Sequence, residues 1–249
     1  MSSARKISVA AVAMLTVSLC FNVMAGEVKS TAAVDYTKAP TRFVEVEGVR
    51  YAYRTMGVSS TTPPLVLFQH FTGTMDDWDS ALIDGLAHER RVIVFDNAGV
   101  SASLGTTPDS VAAMAEDAEK FIDALKLKTV DVLGFSLGGC VVQQVLADRP
   151  GMVRKAIIAG TSAKGGEGVK DTPAILAEST KVSDETKIPL KQVLFFSRSS
   201  LGLAQGGAFL KRINNHTVDR ESPVSNETVN AQLKALVAWG DRVPEFQRA

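Results

Sequence analysis

The residues best suited to chemistry lie in Val130-Asp131-Val132-Leu133-Gly134-Phe135-Ser136-Leu137-Gly138-Gly139, an apolar run that enters Gly-x-Ser-x-Gly and continues as a helical pattern towards Asp148. A serine on so sharp a strand-to-helix turn sits at strained backbone angles. Gly134 and Gly138 let the neighbouring chain pass without a side-chain clash, and the helix N-terminus points at the reacting centre. The bare pattern is common as a glycine-rich turn. Here it follows an apolar strand and precedes a helix, the context its mechanics need. A serine hydroxyl is a weak nucleophile until a base takes its proton, so chemistry at Ser136 asks for a general base. The chain has three histidines, His70, His88 and His216. His88, in Ala87-His88-Glu89-Arg90, reads as a helix-end surface residue.

Positioning Ser136 requires a sheet. Leu65–Phe68, Val92–Phe95, Val130–Leu133 and Val153–Ile158 are short apolar runs alternating with longer amphipathic stretches, which predicts an α/β fold with a mostly parallel sheet covered by helices. Ahead of them, Phe43 to Val46 and Val49 to Tyr53 flank Glu47-Gly48 as a β-hairpin. Val111, Met114, Ala115, Ala118, Phe121, Ile122 and Leu125 share one helical face, with Asp109 or Ser110 as N-cap. Beyond Gly160 the strand rhythm stops. Thr161 to Gly168 is a Gly-rich loop, and Leu190–Phe196, Gly207–Ile213 and Val229–Val237 read as helices.

Composition sets the boundaries. A chain of 249 residues with 45% hydrophobic content fits a single domain. Lys plus Arg and Asp plus Glu both count 27, so no excess field exists to hold nucleic acid or anionic lipid, and the expected partner is a small molecule. Residues 1–25 read as a secretory signal: Arg5 and Lys6 precede an apolar stretch, and Val23-Met24-Ala25 resembles a cleavage site. The mature chain is then exported, periplasmic or secreted, with no membrane segment of its own. Residues 26–40 read as a linker and the domain starts near Thr41. After cleavage Cys140 is the sole cysteine, a packing residue, and an internal disulfide is ruled out. No motif calls for a cofactor or a metal.

With these residues in view, the chain resembles the α/β-hydrolase fold family of serine hydrolases from about Thr41 to at least Gly160, with residues 161–249 taking the place of a helical cap. The resemblance rests on the Ser136 turn and on Leu65-Val66-Leu67-Phe68-Gln69-His70-Phe71-Thr72-Gly73 with Trp78, which is similar to the family's strand and oxyanion loop. It implies that the backbone N–H groups of Phe71 and Leu137 hold a tetrahedral oxyanion, each such donor being worth about 10²- to 10³-fold in rate. Gln69-His70 stands where the family has His-Gly. Phe95-Asp96-Asn97-Ala98-Gly99 is similar to the family's next turn, which makes Asp96 a turn residue. His216 becomes a solvated cap histidine. Family order is Ser, then acid, then His, yet no histidine follows His216. Trp239-Gly240-Asp241-Arg242-Val243-Pro244 resembles the acid strand with Val243 in the acid's place; Asp241 and Glu167 are weak substitutes, and the period of Val229, Leu233, Leu236 and Val237 favours a helix there. The expectation is a truncated chain lacking the family's last strands and final helix. It would be an exported esterase- or perhydrolase-like protein with an impaired triad, or else a catalytically silent binding module or remnant. The strand Val153–Ile158 would then be an open edge through which copies associate.

Overall fold

In the computed structural model of the chain, residues 35–58 and 61–241 are described. The signal read over residues 1–25, the start of the linker, and Arg242 to Ala249 with Val243 lie outside them. Among the described residues six strands form one sheet: β1 (Arg42–Val46), β2 (Val49–Met56), β3 (Leu65–Phe68), β4 (Val92–Phe95), β5 (Val130–Phe135) and β6 (Val153–Ala159). Their spatial order is β1-β2-β4-β3-β5-β6. β1 and β2 form the expected hairpin, closed by Glu47 and Gly48, both at positive φ (50° and 84°), the conformation that a two-residue turn between twisted strands demands. β2 meets β4 antiparallel, and β4, β3, β5 and β6 run parallel.

Among the described residues seven α-helices accompany the sheet: α1 (Ser80–Ala87), α2 (Val111–Ala124), α3 (Leu137–Asp148), α4 (Thr172–Thr186), α5 (Leu190–Phe195), α6 (Ser200–Ile213) and α7 (Asn226–Trp239). β3 and β4 are buried throughout, which is why they read as unbroken apolar runs. Alternate side chains divide between two cores. Val66, Phe68, Ile93 and Phe95 meet α2, α3 and α7, while Leu65, Leu67, Val92 and Val94 meet α1 with Trp78 and Tyr36. Of the two N-cap candidates for α2, Ser110 takes the role, its Oγ accepting from Ala113 N–H at 3.2 Å.

The fold departs from the sequence reading at several points. Residues 35–40, assigned to a linker, are packed: Tyr36 is fully buried, its hydroxyl donating to Met75 O at 2.5 Å and its N–H to Asp84 Oδ1 at 2.8 Å. α6 begins at Ser200, well before Gly207, because Ser199 caps it through Gly202 N–H. α4 buries no side chain fully, so no apolar stripe marked it. Over Trp239-Gly240 the helical reading holds, since α7 runs to Trp239.

β6 is the outer strand, and no described residue pairs with its far side. From Arg154 to Ala159 every residue is exposed, Ile157 at 53% and Ile158 at 42%. Among the described residues no helix is long and apolar enough to cross a membrane.

Candidate active site

Ser136 joins β5 to α3 at φ 54° and ψ −118°, a region non-glycine residues seldom occupy. Its N–H donates to Ala159 O of β6 at 3.0 Å, which ties the turn to the sheet. The flanking glycines are required sterically. A Cβ on Gly134 would lie 2.5 Å from Gly138 O, and one on Gly138 would collide with Phe68 O at the end of β3. Absence of that Cβ lets the start of α3 abut the loop after β3.

That loop is held rigid by its own side chains. Gln69 accepts from His70 N–H at 2.9 Å and donates to Thr74 O; Gly73 N–H closes a turn onto His70 O at 3.0 Å, with Thr72 at φ 58°. From α7, Gln232 Oε1 accepts Thr72 N–H at 2.7 Å. Sequence reasoning missed Gln232, a polar residue within an apolar helical face. Among the described residues no acceptor takes the N–H of Phe71 or of Leu137.

A half-open cavity of about 730 Å³ lies over the turn, lined by Ser136, His70 and Phe71 on the sheet side. The other side is apolar and comes from the helices after β6, including Ile175, Leu194, Phe195, Leu210 and Leu233. The structure thus places Ser136 and Phe71 in one cavity, with Leu137 buried at the first position of α3. Glu167 also lines it; Asp241 does not. Cys140 also lines the cavity though it is almost fully buried; its Sγ lies 3.2 Å from Thr161 Oγ1, and burial pushes the thiol above its ordinary value.

The three histidines separate clearly. His88 is exposed at the end of α1, as read. His216 is not solvated: it is 3% exposed, edge-on to Tyr36, with Nδ1 3.3 Å from Arg54 Nη1. Arg54 can only donate, so Nδ1 accepts, and burial holds the imidazole below its usual range. His216 lies away from the cavity. His70 lines it, 6% exposed, between the rings of Phe135 and Phe195.

Around His216 is a buried ionic group that the sequence reading did not find. Arg54, on the inward parity of β2 two residues after Ala52, donates to Asp76 Oδ1 (2.7 Å), Glu221 Oε1 (3.1 Å), Asp219 O (2.7 Å) and Thr41 Oγ1 (3.2 Å). A cation at an inward strand position was the available signal. Asp96, read as a turn residue, is 1% exposed and accepts Met75 N–H at 2.8 Å. Burial, then the adjacent Glu221, pushes its carboxyl well above the ordinary range. Among the described residues neither Oδ2 of Asp96 nor Oε2 of Glu221 has a donor, so a proton on Asp96 would serve both.

This proton has a measurable consequence. Folded Asp96 keeps a proton that the unfolded chain releases above about pH 4, so its stabilisation is complete below that value. It is lost as pH rises through the folded value, at up to about 1.4 kcal/mol per pH unit. Asp96→Asn offers an N–H to Glu221 at every pH. Urea unfolding of both proteins from about pH 5 to 8 is expected to show the variant gaining on the native chain as pH rises; a difference independent of pH would refute the shared proton.

Fold and turn geometry define a class, and comparison with known proteins agrees with it. The sequence model of the alpha/beta hydrolase fold matches residues 63–242. An alpha/beta hydrolase fold protein from Chitinophaga pinensis of known structure is 43% identical with a TM-score of 0.80, the match covering 86% of this chain and 76% of that one. Over 117 residues the chain is 35% identical to the dihydrolipoyllysine-residue acetyltransferase component of the acetoin cleaving system of Cupriavidus necator, 45% of this chain and 29% of that protein. Over 115 residues it is 31% identical to the non-heme chloroperoxidase of Streptomyces lividans, 45% and 41% respectively. These curated relatives are therefore matched over less than half their length. The chain belongs to the alpha/beta hydrolase fold family.

Proposed function

We propose that the chain is an exported serine hydrolase-like protein that acts on an ester or related acyl substrate, with Ser136 as nucleophile. The observation that carries this is the strained Ser136 turn opening on an apolar cavity, beside two backbone N–H groups with no acceptor among the described residues. In this reading Ser136 Oγ attacks the carbonyl carbon, and the N–H groups of Phe71 and Leu137 receive the charge that develops on oxygen. Collapse of the tetrahedral intermediate breaks the ester C–O bond and the alcohol leaves with the proton that Oγ gave up; water then adds to the acyl-enzyme, the Oγ–acyl bond breaks, and the acid departs as Oγ regains a proton. Attack by peroxide in place of water is the perhydrolase variant, which the likeness to a non-heme chloroperoxidase supports. Export rests on the signal read over residues 1–25.

Ser136 Oγ makes no hydrogen bond to a described residue, so the reading assigns neither base nor acid and expects slow turnover. Removal of a triad member leaves about 10³- to 10⁴-fold over water. The same observation favours a second reading, a silent binding module that keeps the cavity. A fluorophosphonate probe separates the two: labelling of the native chain and none of Ser136→Ala is expected, and equal labelling of both would reject Ser136 as nucleophile. We infer also that the outer edge of β6 joins two copies of the chain.

A further inference from the structure

Among the described residues that line the cavity, the buried side chain of His70 keeps a ring nitrogen without a protein partner. Its Nδ1 lies 2.7 Å from Phe71 O. A carbonyl oxygen only accepts, so Nδ1 carries the hydrogen and Nε2 the lone pair. Among the described residues Nε2 has no hydrogen-bond partner. The ring is fixed edge-on between Phe135, the neighbour of Ser136, and Phe195 of α5, with centroid separations of 5.8 and 5.6 Å. His70 also immediately precedes Phe71, so its acceptor is within one side-chain length of the proposed oxyanion donor.

We propose that His70 is a specificity-determining residue whose Nε2 accepts a hydrogen bond from an O–H or N–H close to the carbonyl of an otherwise apolar acyl substrate. The chemistry follows from what surrounds it. Apolar side chains of the helices after β6 favour a hydrocarbon chain. A ligand that covers this acceptor, displaces its water and offers no donor loses affinity, so the cavity discriminates against acyl groups without the donor. Burial holds the imidazole below its ordinary value. The charged groups facing it are Asp77, which acts in the opposite sense, and Lys191 of α5, which adds to the depression; these two pair with each other. His70 is therefore a neutral acceptor at pH 7.

This inference rests on the acyl-site reading of the cavity but does not need Ser136 to turn over. Binding of 2-hydroxyoctanamide and octanamide, which differ only in the donor, is measured by calorimetry on the Ser136→Ala chain. About ten-fold tighter binding of the hydroxy compound is expected, as for one net hydrogen bond. In the Ser136→Ala/His70→Phe chain the ratio is expected to fall to about one. On the chain that keeps His70, acidification below its depressed pKa should remove the preference as Nε2 gains a proton, which needs no substitution at His70 and reads the same group. Equal binding of the two amides, a preference that survives His70→Phe or acidification, or no binding of either compound would overturn the proposal. Loss of probe labelling in the native chain would count against the nucleophile alone.

Discussion

Replacing Arg54 by Ala is expected to lower the free energy of unfolding by about 3 to 5 kcal/mol, the range for removing one partner of a buried ion pair. Total stability of a domain is only about 5 to 15 kcal/mol, so the variant should be marginal at ambient temperature. The reason lies in what remains. Asp76 and Glu221 are nearly inaccessible, and their carboxylates would lose the guanidinium that faces both. Glu221 N–H also donates to Asp76 Oδ2 at 3.0 Å, and Asp219 O accepts from Arg54, so the segment that returns from α6 to α7 loses its attachment to β2. Chemical denaturation measures the loss. Arg54→Met combined with Asp76→Asn and Glu221→Gln should recover part of it, because the stranded charges go with the arginine. A loss below about 1 kcal/mol, the value of an exposed pair, would show that water reaches the group.

The chain is expected to associate through β6, and Ile157→Lys with Ile158→Lys is expected to weaken that association by at least about 100-fold. Each isoleucine side chain removed from water is worth roughly 1.5 to 3 kcal/mol. No described residue pairs with the outer edge, which leaves its N–H and C=O groups for another strand. Charge chooses the arrangement. Arg154 and Lys155 lie at the start of the strand and Ile157 and Ile158 towards its end, so a two-fold antiparallel pairing sets cations against isoleucine. Parallel pairing would oppose like charges directly. Arg154 is moreover already paired with Asp131 of β5, Nε to Oδ1 at 2.9 Å. Size-exclusion chromatography with light scattering checks the outcome: a concentration-dependent dimer that the double substitution converts to monomer supports the edge contact, and a native chain that is monomeric at every concentration disproves it.

What was legible in the sequence is whatever short-range physics specifies. Apolar runs of four residues gave β3 and β4 at their observed bounds, because strands buried on both faces leave no room for polar side chains, and gave β5 to within two residues of its end. The Ser136 turn was legible because two glycines are obligatory there, one against the helix backbone and the other against the end of β3. The Glu47-Gly48 hairpin followed for a similar reason of backbone angle. Even α7, ambiguous with a strand over Trp239-Gly240, was settled by the period of its apolar residues.

Tertiary structure decided the rest, because it depends on pairs far apart in the chain. Tyr36 had no local signal to mark it as core; its burial depends on Met75 and Asp84. His216 looked solvated among asparagines, yet its position is fixed by Arg54, 162 residues earlier in the chain. Arg54 was readable only as an inward-facing anomaly until Asp76, Asp219 and Glu221 arrived to satisfy it. His70 shows the same division at the site. Sequence could place it beside the oxyanion loop. Only the fold could show that the Phe71 carbonyl fixes its tautomer and that two phenyl rings hold its remaining lone pair at the cavity. Local sequence fixes backbone angles and burial parity, whereas a buried charge or imidazole takes its protonation and partners from groups that only the folded chain brings within a few ångströms.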